Sequence, residues 1–167
     1  RKDFTPKNRF LSWSMAKSIT NALTGILTVD EKVDIFHPTG ISEWQDDHRK
    51  DITWNDLMQM QSGLEWNEDY GSKSDVNVML HCEGDMAKYA INKELADSIG
   101  EKWYYSSGST NIISYLIKNE FNSEDEYYSF VYNNLFYKIG ITDAIFEVDP
   151  SGTLVGSSYL YATARDF

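Results

Sequence analysis

Residues 10–25 read F-L-S-W-S-M-A-K-S-I-T-N-A-L-T-G, and the apolar side chains recur at steps of three and four residues. This period places them on one face of a helix, which we predict from about Ser14 to about Thr28. The apolar positions are Met15, Ile19, Ala22, Leu23 and Ile26. Because residues three apart are neighbours on a helix surface, Lys17 can bring its ammonium group to the Ser14 hydroxyl.

The S-M-A-K pair has two interpretations. A Ser-x-x-Lys pattern arises by chance roughly once in a chain of this length, so alone it favours a solvated serine and lysine. The other interpretation is a nucleophile with its activating amine. If Ser14 lies in the first turn of the helix, the helix dipole favours a developing alkoxide there.

A lysine needs help to act as the base, because its ordinary pKa of about 10.4 leaves it protonated at neutral pH. A tyrosine sharing a proton with the lysine is one solution. Tyrosines two residues before Ser or Asn are Tyr70, Tyr104, Tyr105, Tyr127 and Tyr132. Context favours the Gly- and Ser-rich turn after Gly100, which presents side chains. A packed Tyr105 with a satisfied hydroxyl is an equally good interpretation.

Composition excludes several classes of function. Fifteen basic and twenty-six acidic residues give a net charge of −11, which disfavours nucleic-acid binding. The single Cys82 cannot form an internal disulfide, and no apolar run approaches the roughly 18 residues of a membrane span. No ligand spacing typical of a metal site occurs. We interpret the acidic N-E-D-Y stretch at residues 67–70 as surface.

The remaining pattern predicts a mainly α chain of about five helices with one small β-hairpin and no repeats. After the first helix, helices are expected from a capping box at residues 53–56 to Gly63, over 75–95 with a break near Gly84, over 110–119, and from a capping box at 123–126 to Gly140. The hairpin is predicted to join A-I-F-E-V and T-L-V-G across the turn D-P-S-G at residues 149–152.

A further capping box, T-A-R-D at residues 163–166, predicts the start of another helix close to Phe167. A domain rarely ends where a helix starts. We therefore expect residues 1–167 to be a single fragment of a larger domain.

Four segments together resemble one known family. In order, they are S-W-S-M-A-K-S-I, I-T-W-N-D-L-M-Q-M-Q-S-G-L-E-W, K-W-Y-Y-S-S-G-S-T-N-I-I-S-Y-L-I and V-G-S-S-Y-L-Y-A-T-A-R-D-F. Their order and spacing are similar to those of the β-lactamase-related serine hydrolases: class C β-lactamases, D-alanyl-D-alanine carboxypeptidases, esterases and 6-aminohexanoate-dimer hydrolases. Y-S-S-G and G-S-S-Y are most like the esterase and 6-aminohexanoate-dimer hydrolase branch.

The resemblance implies roles for four residues. Ser14 matches the acylated nucleophile and Lys17 the lysine beside it. Tyr105 matches the tyrosine that takes the serine proton and later activates water. Ser107 occupies the supporting position where class C enzymes hold asparagine, and this departure makes β-lactam hydrolysis a less favoured activity.

The resemblance also implies the fold. The chain matches the helical region of the α+β β-lactamase/DD-peptidase-like fold, with the nucleophile helix, but without N- and C-terminal strands of the sheet. The family's third motif, Lys or His followed by Thr or Ser and Gly, does not occur after Tyr105. Its strand supplies half of the oxyanion hole, worth roughly 3 to 4 kcal/mol, so we expect the fragment to be nearly inactive.

The predicted function is therefore hydrolysis of carboxylic esters or small amides through an acyl-enzyme, without metal or cofactor. The alternatives are a D-Ala-D-Ala carboxypeptidase or β-lactamase, and a non-catalytic penicillin-binding-like sensor module. The resemblance implies a periplasmic or extracellular location in a bacterium. A lobe lacking its sheet would expose apolar surface, so self-association is also expected.

Overall fold

The computed structural model describes residues 3–71 and 73–167. The helices are α1 (Ala16–Val29), α2 (Trp54–Met58), α3 (Asp75–Cys82), α4 (Met86–Ile91), α5 (Ser107–Asn119) and α6 (Glu124–Val131); the strands are β1 (Arg9–Leu11), β2 (Ile145–Phe146) and β3 (Leu160–Thr163). Short 3-10 turns lie at Trp13–Met15, Ser42–Trp44, His48–Asp51 and Tyr137–Ile139, and a π-helical turn at Tyr132–Phe136. The predicted mainly α class with a small β element is confirmed.

Helix α5 runs through the middle of the molecule and packs against α1, α2, α3 and α4. Its residues from Ser107 to Ser114 are buried, although several are polar. The Ser106 hydroxyl caps the helix by accepting a bond from the Ser109 N–H. Buried Asn111 instead binds another segment, because its side-chain oxygen accepts a bond from the Ser157 N–H at 3.0 Å. Polar groups inside this helix therefore fix neighbouring segments.

The small sheet is antiparallel with the order β1-β3-β2. Phe10 is paired with Ala162, and Phe146 with Leu160. Neither β1 nor β3 was predicted. The sheet therefore joins the segment that precedes α1 to the last strand of the chain.

The predicted hairpin is partly wrong. The predicted arms do pair next to the turn at residues 149–152. The Asp149 N–H donates to the Thr153 carbonyl, the Val155 N–H donates to the Glu147 carbonyl, and Val148 bridges Leu154. Farther from the turn, β2 pairs with β3 instead. The buried Asp149 carboxylate accepts bonds from the Met86 N–H and the Thr153 N–H, which ties the turn to the start of α4. The chain then leaves the hairpin at Gly156 and enters the space between α1 and α5.

Several element boundaries differ from the prediction. Helix α2 ends before Gly63 because Met60 adopts a left-handed φ of +59°. Helix α4 ends at Ile91, and α5 begins three residues before Thr110. The predicted capping box at residues 163–166 forms in part. The N–H and hydroxyl of Thr163 both donate to the Asp166 carboxylate, and the Phe167 N–H donates to the Thr163 carbonyl, although residues 164–166 are a turn and not a helix.

Gly156 allows the segment that precedes β3 to approach helices α1 and α5 closely. The Thr20 hydroxyl of α1 donates to its carbonyl at 3.1 Å. A Cβ at Gly156 would overlap the hydroxyl oxygens of Ser114 and Thr20. Only glycine fits at this position without moving α1 or α5.

We predict that Gly156→Ala lowers the free energy of unfolding by about 1 to 3 kcal/mol, as overpacking in a closed space does. Gly25→Ala is the matched control, since Gly25 lies within α1 and a Cβ there meets no atom within 4 Å. It should be neutral or stabilising by up to about 1 kcal/mol, because alanine is the better helix former. Urea unfolding measures both variants. An unchanged stability of Gly156→Ala would contradict the packing described.

Candidate active site

Ser14 lies in the 3-10 turn that leads into α1 and is partly exposed. The preceding Trp13 has a left-handed φ of +48°, a strained backbone for a residue with a Cβ. Buried Ser12 holds this turn against β3, because its N–H donates to the Leu160 carbonyl at 2.7 Å. The turn therefore presents Ser14 at a fixed place at the start of the helix.

The Lys17 ammonium joins three segments of the chain. Its Nζ donates to Ser14 Oγ at 3.2 Å, to Ser107 Oγ at 3.1 Å and to the Ser157 carbonyl oxygen at 3.0 Å. An ammonium group has three protons to donate, so these acceptors satisfy it fully. Burial lowers the pKa of Lys17 to about 8, and the negative charge of Glu68 opposes part of that shift.

Ser107 is the first residue of α5, and Glu68 binds both of its donors. The Ser107 N–H donates to Glu68 Oε2 at 2.9 Å, and the Ser107 hydroxyl donates to Glu68 Oε1 at 2.5 Å. A carboxylate at a helix N-terminus also interacts favourably with the helix dipole. The site therefore contains a continuous chain of hydrogen bonds from Ser14 through Lys17 and Ser107 to Glu68.

Tyr105 contributes its ring rather than its hydroxyl in this state. Lys17 Nζ lies 4.9 Å from the centroid of the partly buried Tyr105 ring, a cation–π distance. Among residues 3–71 and 73–167, no hydrogen bond joins the Tyr105 hydroxyl to Ser14 or Lys17. Catalytic hydrogen bonds often form only when substrate binds, so the ring contact is compatible with the predicted role.

The structure thus brings all four predicted residues together. Ser14, Lys17 and Ser107 are connected by direct hydrogen bonds, and Tyr105 packs against the same ammonium. The roles assigned to them stay predictions.

Glu68 was missed by the sequence analysis, which interpreted residues 67–70 as acidic surface. Trp66, Glu68 and Tyr70 are spaced two residues apart in a segment without regular secondary structure, and their side chains meet. Trp66 Nε1 donates to Glu68 Oε2 at 2.5 Å, and the Tyr70 hydroxyl donates to Glu68 Oε1 at 2.6 Å. An acidic residue between two aromatic donors at steps of two was the available signal.

In the described part of the chain, no group of three or more His, Cys, Asp or Glu side chains is arranged to hold a metal ion. None of the helices in residues 3–71 and 73–167 is long and apolar enough to cross a lipid bilayer.

Three solved structures illustrate what the chain is similar to. A putative 6-aminohexanoate-dimer hydrolase from Bacillus anthracis superposes with a TM-score of 0.82 at 19% identity, covering 98% of this chain and 47% of that one. A D-alanine carboxypeptidase from Burkholderia cenocepacia gives 0.70 at 17% identity, covering 97% and 48%. A class C β-lactamase gives 0.69 at 14% identity, covering 97% and 49%. At identities this low, the superpositions show a shared fold and nothing more.

The chain spans about half the length of these structures. None of the curated proteins compared with it matches. The β-lactamase family profile, however, matches residues 1–167, the whole sequence. The chain therefore belongs to the β-lactamase family and has the fold of that family's hydrolases.

Proposed function

We propose that this protein is a serine hydrolase that cleaves carboxylic esters or small amides through an acyl-enzyme at Ser14. The supporting observation is the position of Lys17, whose Nζ contacts Ser14 Oγ while burial lowers its pKa to about 8. A lysine with a pKa this close to neutrality is an effective base, whereas an ordinary solvated lysine is not.

The reaction follows from these contacts. Neutral Lys17 takes the proton of Ser14 Oγ, and the oxygen attacks the carbonyl carbon of the substrate. The tetrahedral intermediate collapses, the proton passes to the leaving alcohol or amine, and an ester to Ser14 remains. Water then attacks that ester and releases the acid. In this proposal the Ser14 N–H donates to the oxyanion.

Tyr105 is our candidate for the second proton-transfer group. Its ring lies against the Lys17 ammonium, and we propose that its hydroxyl joins the same exchange when substrate is bound, as catalytic hydrogen bonds often form only in the substrate complex. The proton would then move between Ser14, Lys17 and Tyr105 as one coupled unit.

We also propose that residues 1–167 turn substrate over slowly by themselves. The sequence after Tyr105 has no Lys/His-Thr/Ser-Gly stretch to supply the second oxyanion donor. One such donor contributes about two to three powers of ten in rate. Acylation leaves a covalent adduct on Ser14, which mass spectrometry detects even when turnover is slow.

The main alternative is a D-Ala-D-Ala carboxypeptidase or β-lactamase, supported by the similarity to a D-alanine carboxypeptidase and a class C β-lactamase. Ser107 argues against a β-lactamase, because class C enzymes of the resembling family hold an asparagine at this position. A non-catalytic sensor module is the third candidate.

We predict that a fluorophosphonate probe labels the protein at Ser14, as peptide mass spectrometry after digestion would show. Ser14→Ala should abolish the labelling. The other hydroxyl bonded to Lys17 is that of Ser107, and its proton is already donated to Glu68. Ser18→Ala is the control, since Ser18 is an exposed hydroxyl of the same helix. Equal labelling of Ser14→Ala would disprove the proposed nucleophile.

The rate of labelling should rise with pH through about 8. Lys17 acts as a base only when neutral, so below its pKa the rate should fall about tenfold for each pH unit. Lys17→Met should lose at least about a hundredfold, the usual contribution of a general base. Lys138→Met, at an exposed position, is the control. A rate independent of pH between 6 and 9 would be incompatible with Lys17 as the base.

The alternatives separate by substrate. A chromogenic ester such as 4-nitrophenyl butyrate should acylate Ser14 and release a burst of nitrophenol, whereas benzylpenicillin should give no adduct at the same concentration. Intact-mass spectrometry measures both adducts. A stable penicilloyl adduct would instead support the carboxypeptidase or the sensor, which release of D-Ala from a D-Ala-D-Ala peptide distinguishes, and penicillin turnover would support the β-lactamase.

A further inference from the structure

The direction of each hydrogen bond at Ser107 is fixed by chemistry. A carboxylate can only accept, so in the 2.5 Å contact the Ser107 hydroxyl gives its single proton to Glu68. The Ser107 oxygen can then only accept from Lys17. Glu68 therefore decides which way the Ser107 hydroxyl points.

The other two partners of Lys17, Ser157 and Ser14, differ in whether they have a proton to donate. The Ser157 carbonyl oxygen has no proton and can only accept. When Lys17 loses one proton, its two remaining N–H groups can stay on Ser157 and Ser107. Its lone pair then faces Ser14, the one bonded partner with a proton free to give.

The position of Glu68 is itself well defined. Trp66 Nε1 and the Tyr70 hydroxyl donate to it, in addition to the two donors of Ser107. The Trp66 ring packs on Gly108, where a Cβ would lie only 2.6 Å from a ring carbon. Four donors and this packing leave the carboxylate little freedom to turn away from Ser107.

We propose that Glu68 is a positioning residue for proton transfer: by holding the Ser107 proton, it leaves Ser14 as the only bonded hydroxyl that can donate to the Lys17 amine. The inference rests on the proposed function, because it assigns Lys17 as the base for Ser14. Without Glu68, the Ser107 hydroxyl is free to rotate and to donate to the amine in competition with Ser14.

The charge of Glu68 acts in the same cluster. It raises the pKa of Lys17 against the effect of burial, and together with burial it raises the pKa of Tyr70 to about 12. Glu68 therefore affects Lys17 in two separable ways, through the orientation of Ser107 and through its charge.

A double-mutant cycle measured above pH 9, where Lys17 is already neutral and the charge of Glu68 no longer changes its protonation, tests the orientation. Glu68→Ala should slow fluorophosphonate labelling of Ser14 by about five- to tenfold, as expected for one competing hydrogen bond. In a Ser107→Ala background no competing hydroxyl exists, so adding Glu68→Ala should change the rate by less than about twofold. An equal loss in both backgrounds would overturn the proposal. Circular dichroism and urea unfolding check that each variant is folded.

Glu68→Gln provides a second test that does not depend on a truncated side chain. Its amide oxygen can still accept the Ser107 proton, while its amide NH2 replaces the oxygen that accepts from the Trp66 and Ser107 N–H groups, and its charge is gone. The labelling rate above pH 9 should stay within about twofold of the wild type. The acid limb, which is the part of the pH profile where the rate falls below the Lys17 pKa, should move down by about one pH unit because the charge that raises this pKa is gone. Glu65→Gln, an exposed carboxylate on the same segment, should leave the limb in place. An unmoved limb in Glu68→Gln would contradict the proposed contact.

The pKa of Lys17 distinguishes a failure of this inference from a failure of the proposed function. Competitive acetylation with acetic anhydride in a Ser14→Ala background, read by mass spectrometry at Lys17, gives that pKa without any reaction at residue 14. A lower Lys17 pKa in Glu68→Gln, combined with labelling that persists in Ser14→Ala, would reject the nucleophile and retain the coupling. An unchanged Lys17 pKa would reject the charge effect of Glu68, whereas the double-mutant cycle alone decides its positioning role.

Discussion

The site depends on one buried ammonium group that three segments share. Lys17 lies in α1, Ser107 begins α5, and the Ser157 carbonyl belongs to the segment that leads into β3. Because a partly desolvated ammonium is costly unless all of its protons have acceptors, each segment must be in place before Lys17 can be accommodated. The same requirement brings Ser14 to the amine.

Close packing supports this arrangement at two glycines. Gly156 lets the last segment reach α1 and α5, and Gly108 lets Trp66 pack on the start of α5. The first contact places the Ser157 carbonyl, and the second places the segment that contains Glu68. Both positions lie outside the Ser-x-x-Lys motif, yet the geometry of the motif depends on them. The electrostatic environment of Lys17 is thus set by residues far apart in the sequence.

Helices whose signals lie within their own residues could be predicted from the sequence. The apolar period marked α1, and the capping boxes at Thr53 and Ser123 marked α2 and α6, with both caps formed in the structure. The three-stranded sheet was not predictable in this way, because β1 and β3 are short and pair across almost the whole chain. The predicted hairpin was correct only near its turn, because the chain leaves it at Gly156 toward the helices and Ile145 and Phe146 pair with β3 instead.

The same distinction holds for the site. Ser14 and Lys17 lie three residues apart, and the resemblance to the family led to Tyr105 and Ser107. Glu68 was assigned to the surface, since its partners Ser107 and Lys17 are distant in sequence and only tertiary packing brings them together. Its charge is offset by four donors, which composition alone cannot reveal.

The central claim is that burial makes Lys17 a base for Ser14. The most direct measurement is an NMR titration of the Lys17 side chain in the folded wild-type protein, with Lys17→Arg used to assign the signal. The account predicts a pKa of about 8. A value near 10.4, that of a solvated lysine, would contradict it.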